Sequence, residues 1–157
     1  MLGLEGSGYI VASGGGLLAH LMMIFPLRVG FATTGGGSWS EFAIVDADAA
    51  IPLPSNVDYD KGASMIVNPL TVVAMLEIAK ENHHTTLVHT AASSSLGLML
   101  LRAAPLYNVT IIAVVRGAKN EAILRDFGVV PHLIVRSDAP TFAHDLTEAA
   151  KEAGTFK

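Results

Sequence analysis

The chain contains no cysteine, which excludes disulfide bonds, thiolate catalysis and cysteine-ligated zinc sites. Charged residues make up only 15% of its 157 residues, and the formal net charge is −4. Such a chain has no general electrostatic attraction to polyanions, so we expect no nucleic-acid partner. Any phosphate group would have to be bound by local backbone geometry.

The sequence also lacks an apolar run long enough to span a bilayer, which needs about 20 residues. The most apolar stretch, 17–27, is interrupted by His20 and Pro26. A signal peptide is not expected, because the first basic residue is Arg28 and Glu5 lies where a positive region would be needed. We expect a soluble protein with no membrane association, in the cytoplasm or an organelle matrix.

Apolar residues are abundant. They form 51% of the chain, and the mean hydropathy of +0.48 is high for a free-standing soluble domain. A large exposed apolar surface usually indicates a missing partner, and a homo-oligomer is one possibility.

Two regions differ in pattern. Residues 1–66 contain short apolar segments separated by glycine runs at 14–16 and 35–37, which predicts a mostly β unit. Its expected strands are GYIVAS, RVGFAT, SEFAIV and AAIPLP. Residues 67–157 alternate between strands and helices, which predicts a parallel sheet and an α/β fold class overall. We expect strands at 85–91, 109–115 and 132–136, and helices at 69–81 (capped by Asn68), 95–107, 119–127 and 141–153.

The segment TTLVHTAASSSLG at 85–97 reads as a buried strand, a turn of small residues and a helix start. A turn of this kind exposes backbone N–H groups and can cradle a dinucleotide phosphate. Ala91, Ser94 and Gly97 have the three-residue spacing at which related turns use glycine. The alternative is ordinary helix capping. The candidate cofactor-binding residues here are Ala91, Ser93, Ser94, Ser95, Leu96 and Gly97.

A second candidate lies about 20 residues further on, where the strand TIIAVVR ends in Arg116. In a dinucleotide fold this position faces the adenosine ribose, where an arginine can hold a 2′-phosphate. The sequence therefore favours NADP(H) over NAD(H), and Lys119 could add a second positive charge. The alternatives are a solvated strand end and an ordinary helix start.

Three segments together resemble the medium-chain dehydrogenase/reductase superfamily, in its zinc-independent quinone reductase and enoyl-thioester reductase branches. They are LGLEGSGYIVASGG, GGGSWSEFAIVDADAAIPLPSNVDYDKGASMIVNPLTVVAMLEIAK and LVHTAASSSLG, and they occur in the family's order. The resemblance implies a partial GroES-like catalytic domain at 1–66, a partial Rossmann domain at 67–157, NADPH as cofactor and a small-molecule substrate. It covers an internal segment of the family, because relatives extend beyond both ends.

Zinc-dependent relatives carry Gly-His-Glu near residues 3–5, whereas this chain has Leu4 in place of the histidine, so no metal site is expected. Asn68 and Thr71 match a segment that lies beside nicotinamide and substrate in enoyl-thioester reductases, and they are the candidate catalytic residues. For Asn68 the alternative is helix capping. Glu5 could orient a loop or be a surface carboxylate, and His89 is expected to be packed or hydrogen-bonded.

Two functions remain open at this point. One is an NADPH-dependent oxidoreductase, or a piece of one, that transfers hydride to a quinone, an α,β-unsaturated carbonyl or an enoyl thioester. The other is a non-catalytic nucleotide-binding remnant or interaction module without a complete active site.

Overall fold

The computed structural model describes residues 2–25, 27–33 and 37–154, and the chain divides into two compact units, Met1–Asn68 and Pro69–Lys157. The first contains a three-stranded antiparallel sheet and the second a three-stranded parallel sheet, each accompanied by helices. The predicted α/β class is confirmed. Within the described ranges, no helix is long and apolar enough to cross a bilayer.

The sheet of the first unit has the order β1 (Glu5–Tyr9), β2 (Arg28–Ala32) and β3 (Ala50–Pro52). Its glycines allow close packing. A Cβ atom on Gly30 would lie 2.9 Å from the carbonyl oxygen of Gly62, at the end of the short helix α2 (Tyr59–Gly62). The sheet and this helix can approach each other only because no side chain separates them.

The first unit is less regular than its glycine-punctuated sequence suggests. Residues 40–45, predicted as a strand, form none, because the Ser40 hydroxyl donates to the Phe42 carbonyl at 2.7 Å and closes a local turn. An unpredicted helix, α1 (Leu17–Ile24), occupies most of the apolar stretch. Pro26 and residues 34–36, which include most of the second glycine run, lie outside the described residues.

Helix α3 (Val67–Glu81) begins two residues earlier than predicted. Asn68 is therefore the second residue of the helix and not its cap, so the capping interpretation of Asn68 is wrong. Pro69 lies in the first turn, where its missing N–H group has no helical acceptor to lose.

The parallel sheet has the order β4 (Thr86–Thr90), β5 (Thr110–Val115) and β6 (Ile134–Arg136). Helices α4 (Ser95–Ala103), α5 (Ala118–Asp126) and α6 (Phe142–Glu152) follow these strands in turn. The core is formed by apolar residues of the sheet and helices. Its largest fully buried side chains are Leu76, Leu100, Ile112, Leu124 and Val135.

Two element boundaries in this unit differ from the sequence prediction because of proline. The helix predicted over 95–107 is α-helical only to Ala103 and continues as a 3₁₀ turn, Ala104–Tyr107, around Pro105. The strand predicted over 132–136 begins at Ile134, after a 3₁₀ turn at Pro131–Leu133. Proline has no N–H group for a helix or a strand ladder, so the chain adopts tighter turns at both places.

Candidate functional site

The carboxyl ends of the three parallel strands lie at one edge of the sheet. Thr90 of β4 pairs with Val114 of β5, and Val115 of β5 pairs with Arg136 of β6. The segments that follow the strands therefore share this edge, which is where ligands bind in open parallel sheets. We call it the carboxyl edge; it comprises residues 91–97, 116–119 and 136–138.

The turn after β4 has an unusual backbone. Ala91 has φ = +52°, a left-handed conformation that favours glycine, and it is exposed to solvent. Ala92 is fully buried and donates its N–H to the carbonyl of Val114 on β5 at 3.2 Å. This bond fixes the turn to the neighbouring strand, so the backbone that follows is held in place.

Gly97 has a clear steric function in this turn. A Cβ atom at this position would overlap the carbonyl oxygen of Ala92, so no other residue fits without displacing the backbone. This close approach of α4 to the turn after β4 corresponds to the helix–strand packing for which dinucleotide-binding turns use their last glycine. Of the residues in the sequence motif, Gly97 is therefore the one whose identity the structure explains most directly.

The backbone N–H groups of the turn fall into two sets. Those of Ser94 and Gly97 are bonded within the turn, to the Ala91 carbonyl at 2.9 Å and to the Ser94 hydroxyl oxygen at 3.2 Å. Those of Ser93, Ser95 and Leu96 have no acceptor among the described residues. Three free N–H groups at the positive end of a nine-residue helix can bind an anion such as a phosphate.

Ser94 is the N-cap residue of α4, because its hydroxyl oxygen accepts from Gly97. The capping and phosphate-binding interpretations of this turn are thus compatible. Ser94 satisfies one N–H group of the first turn, and the others stay available. A hydroxyl group still has its own hydrogen to donate to a ligand.

Arg116 follows β5 directly, and both it and Lys119 are exposed. The carbonyl of Arg116 accepts from the side-chain amide of Asn120 at 2.8 Å, which fixes the backbone at the start of α5. Among the described residues, no carboxylate pairs with the guanidinium of Arg116 or with the Lys119 ammonium. Both cations are therefore available to an anionic ligand.

The third strand adds residues to the carboxyl edge that the sequence analysis did not identify. Arg136 ends β6 and pairs with Asp138, with Nη2 to Oδ2 at 2.7 Å and Nε to Oδ1 at 3.2 Å. Asp138 Oδ1 also accepts from the N–H of Gly117 at 2.9 Å. The Arg136 guanidinium and the Gly117 N–H hold the pKa of Asp138 well below its usual range. The sequence signal was an Arg-Ser-Asp segment at the end of a predicted strand.

The start of α3 is organised by Glu5 of β1. Its Oε2 atom accepts from the N–H groups of Ile66 at 3.2 Å and Val67 at 2.8 Å. Glu5 is thus not a solvated carboxylate: it binds the last residue of the loop before α3 and the first residue of this 15-residue helix. Asn68 and Thr71, both half-buried, lie three residues apart in the first turns of this helix.

His89 lies on β4, and its buried Nε2 atom has no hydrogen-bond partner among the described residues. It is packed but not hydrogen-bonded, and burial lowers its pKa. Elsewhere in the described ranges, no three His, Asp or Glu side chains lie close enough together to hold a metal ion.

Known proteins were compared with the chain. No protein-family model matches it. A solved structure from Mesorhizobium loti, described as an NADPH:quinone reductase, is 38% identical with a TM-score of 0.84, covering 96% of this chain and 43% of its own. A mycobacterial structure solved with NADPH is 25% identical with a TM-score of 0.75, covering 95% and 46% of the two chains.

The quinone oxidoreductase of Pseudomonas aeruginosa is 27% identical over 129 residues, which are 81% of this chain and 38% of that protein. The chain thus spans less than half the length of these three relatives. The agreement extends over both units, in sequence as well as in fold. The resemblance to the quinone reductases of the medium-chain dehydrogenase/reductase superfamily is thereby confirmed: this chain is similar to a segment of these proteins in both sequence and fold.

Proposed function

We propose that the carboxyl edge of the parallel sheet binds NADPH, and that the chain is an NADPH-dependent oxidoreductase or a part of one. The observation that carries this proposal is the set of free N–H groups on Ser93, Ser95 and Leu96 beside the Gly97 close contact. Relatives described as NADPH:quinone reductase and as a complex with NADPH support the same assignment.

The residues present fit the parts of this cofactor. The three N–H groups would hold the pyrophosphate, with Ala91 and Gly97 shaping the turn and the Ser94 hydroxyl as a further donor. The exposed Arg116 and Lys119 would bind the 2′-phosphate of the adenosine ribose. NADPH supplies a hydride when bound, and the protein contributes binding and orientation.

The proposed reaction is reduction of a quinone, an α,β-unsaturated carbonyl or an enoyl thioester without zinc. Two of the relatives, described as a quinone reductase and a quinone oxidoreductase, favour the quinone. We propose Asn68 and Thr71 as the residues beside the nicotinamide and substrate. Since Asn68 does not cap α3, its side-chain amide is not required for that role.

A second candidate is nucleotide binding without turnover. It requires only the free N–H groups and the exposed cations of the carboxyl edge, and no catalytic side chain. NADPH oxidation in the presence of a quinone and of an enoyl thioester separates the two candidates, since binding without oxidation of NADPH by either acceptor supports the second.

The cofactor assignment is tested by calorimetric titration of NADPH and NADH into the 157-residue chain and its Arg116→Ala variant. A charged hydrogen bond to phosphate is worth about 1.5 to 3 kcal/mol, so we expect NADPH binding to weaken by roughly ten- to a hundred-fold. NADH binding should be unchanged, because it has no 2′-phosphate.

Arg125→Ala is the matched control. Arg125 lies on α5 and is already paired with Glu121 at 2.6 Å, so its removal should not alter the affinity for either nucleotide. Failure of the unmodified chain to bind NADPH would refute the proposal, and an equal loss for NADPH and NADH in Arg116→Ala would refute the role of Arg116.

A further inference from the structure

Asp138 ties together the segments that follow two neighbouring strands. Its carboxylate accepts from the Arg136 side chain at the end of β6 and from the Gly117 N–H after β5. Gly117 is the residue next to Arg116, and its φ of +79° is one that other residues rarely adopt. A single carboxylate therefore fixes the backbone immediately beside Arg116.

A second contact between the same segments reinforces this arrangement. Ser137 donates to the carbonyl of Val115 through its N–H at 2.9 Å and through its hydroxyl at 3.2 Å. Val115 precedes Arg116, so the backbone on both sides of Arg116 is bonded to the segment after β6. Arg116 is the exposed side chain between these two anchors.

Of the two arginines at this end of the sheet, Arg136 is paired with a carboxylate and Arg116 is not, which favours Arg116 as the anion ligand. The two donors of Arg136 that face Asp138 are occupied by its carboxylate, so this pair has no net charge. A neutral pair neither attracts nor repels a phosphate strongly. Arg116, which has no carboxylate partner among the described residues, keeps its charge uncompensated.

We propose that Asp138 is a positioning residue for nucleotide specificity: it holds the segment that carries Arg116 and so sets the preference for NADPH over NADH. This inference rests on the proposed function, because it acts through the contact of Arg116 with the 2′-phosphate. Asp138 itself contacts no part of the nucleotide in this proposal.

The test is titration of NADPH and NADH into Asp138→Ala and Asp138→Asn. Coupling between residues of one network is modest, so we expect Asp138→Ala to weaken NADPH binding by roughly three- to ten-fold. NADH binding should stay the same, which a general loss of folding would not produce. Asp138→Asn keeps an oxygen acceptor for the Gly117 N–H, so it should restore most of the NADPH affinity.

The Arg116→Ala/Asp138→Ala double variant tests whether Asp138 affects NADPH binding through Arg116. If Asp138 acts through Arg116, the double variant should bind NADPH no more weakly than Arg116→Ala alone. An additive loss, unchanged or tighter NADPH binding in Asp138→Ala, or an equal loss for NADH would each overturn the inference. Should Asp138→Ala not fold, Arg136→Met removes the ion pair that orients Asp138 and should also weaken NADPH binding selectively. Unchanged NADPH binding in that variant overturns the inference too.

Glu148→Ala is the control, since Glu148 is an exposed carboxylate of the same unit that pairs with Lys151 on α6. It should change neither affinity. The outcomes separate the two proposals: if Arg116→Ala is selective for NADPH and Asp138→Ala is not, only the inference about Asp138 fails. If Arg116→Ala itself shows no selectivity, the proposed 2′-phosphate contact fails, and the role of Asp138 fails with it.

Discussion

His89 presents a conflict between polarity and burial at the scale of a single residue. Its Nε2 atom is buried without a partner among the described residues, and either tautomer leaves that atom unsatisfied. Desolvation lowers the pKa of His89 below the ordinary value of 6.5, so folding disfavours the protonated form of this imidazole.

A dependence of stability on pH follows. As the pH falls through about 6.5, the unfolded chain binds a proton at His89 more readily than the folded chain does, so the free energy of unfolding should fall. Above about pH 7 the residue is neutral in both states and contributes no slope. His89→Phe should remove this part of the slope, and at pH 8 it should unfold at the same or a higher urea concentration. Urea titrations at several pH values measure this, and an identical slope in the variant would contradict it.

Single residues also show where sequence reasoning succeeds at the candidate site. Gly97 and Arg116 could be proposed from spacing because both depend on local order along the chain, a turn and the residue after a strand. Arg136 and Asp138 were missed because their importance depends on which strand lies next to which. The pairing of β5 with β6 brings Gly117 to Asp138, 21 residues apart in sequence.

Helix α3 shows at the scale of an element that a contact between distant parts of the chain is not predictable from local sequence. Its existence was predictable from an apolar run with a proline near its start, but the cap was assigned to Asn68 when Glu5 supplies it. A cap is normally sought in the residue just before a helix. Here it comes from a strand more than 60 residues earlier, which no local pattern reveals.

Replacement of Glu5 measures this cap. Glu5→Ala leaves the N–H groups of Ile66 and Val67 without their acceptor, so we expect a loss of about 1 to 2 kcal/mol in the free energy of unfolding. Glu5→Gln keeps an oxygen acceptor but removes the charge that favours a helix N-terminus, so its loss should be smaller. Urea denaturation monitored by circular dichroism provides the comparison.

Glu41→Ala serves as the reference variant, since Glu41 is an exposed carboxylate of the same unit and makes no ion pair within the described ranges. It should alter stability by less than about 0.5 kcal/mol. Equal losses for Glu5→Ala and Glu41→Ala would show that the cap does not stabilise the helix.

Elements were predicted best where burial is uniform. Strand β5 is nearly all buried and reads as a continuous apolar run, as strands covered on both faces do. Segment 40–45 has a similar composition, yet Ile44 is 97% exposed there and the backbone follows the Ser40 turn. The sequence pattern cannot separate these cases, because apolar content alone does not say which faces will be covered.

At the scale of the whole molecule, the high mean hydropathy corresponds to apolar side chains on the surface. Helix α1 exposes all three of its leucines, and Met22 is its buried residue. In the described parallel sheet, β4 pairs on one side only, with β5, and Val88 at its centre is 53% exposed. An unpaired apolar edge strand is a surface that associates with other chains.

We therefore expect concentration-dependent self-association, and we expect Val88→Lys to weaken it, because a charged side chain on an edge strand opposes pairing. A roughly ten-fold higher dissociation constant, about 1.4 kcal/mol, would be a typical effect. Sedimentation velocity over a range of concentrations gives the measurement. Val130→Lys, at a residue 45% exposed outside the strands, adds the same charge and should have less effect.

The left-handed alanine at the start of the turn has a consequence for how such sites are recognised. A glycine-based sequence pattern does not match the segment Ala-Ala-Ser-Ser-Ser-Leu-Gly. Ala91 nevertheless adopts a backbone angle usual for glycine, and only Gly97 is sterically required. What recurs in turns of this type is the set of dihedral angles and the direction of the amide groups. Of these two positions only Gly97 needs glycine for space, so the residues of this turn differ from a glycine-rich turn more than its backbone does.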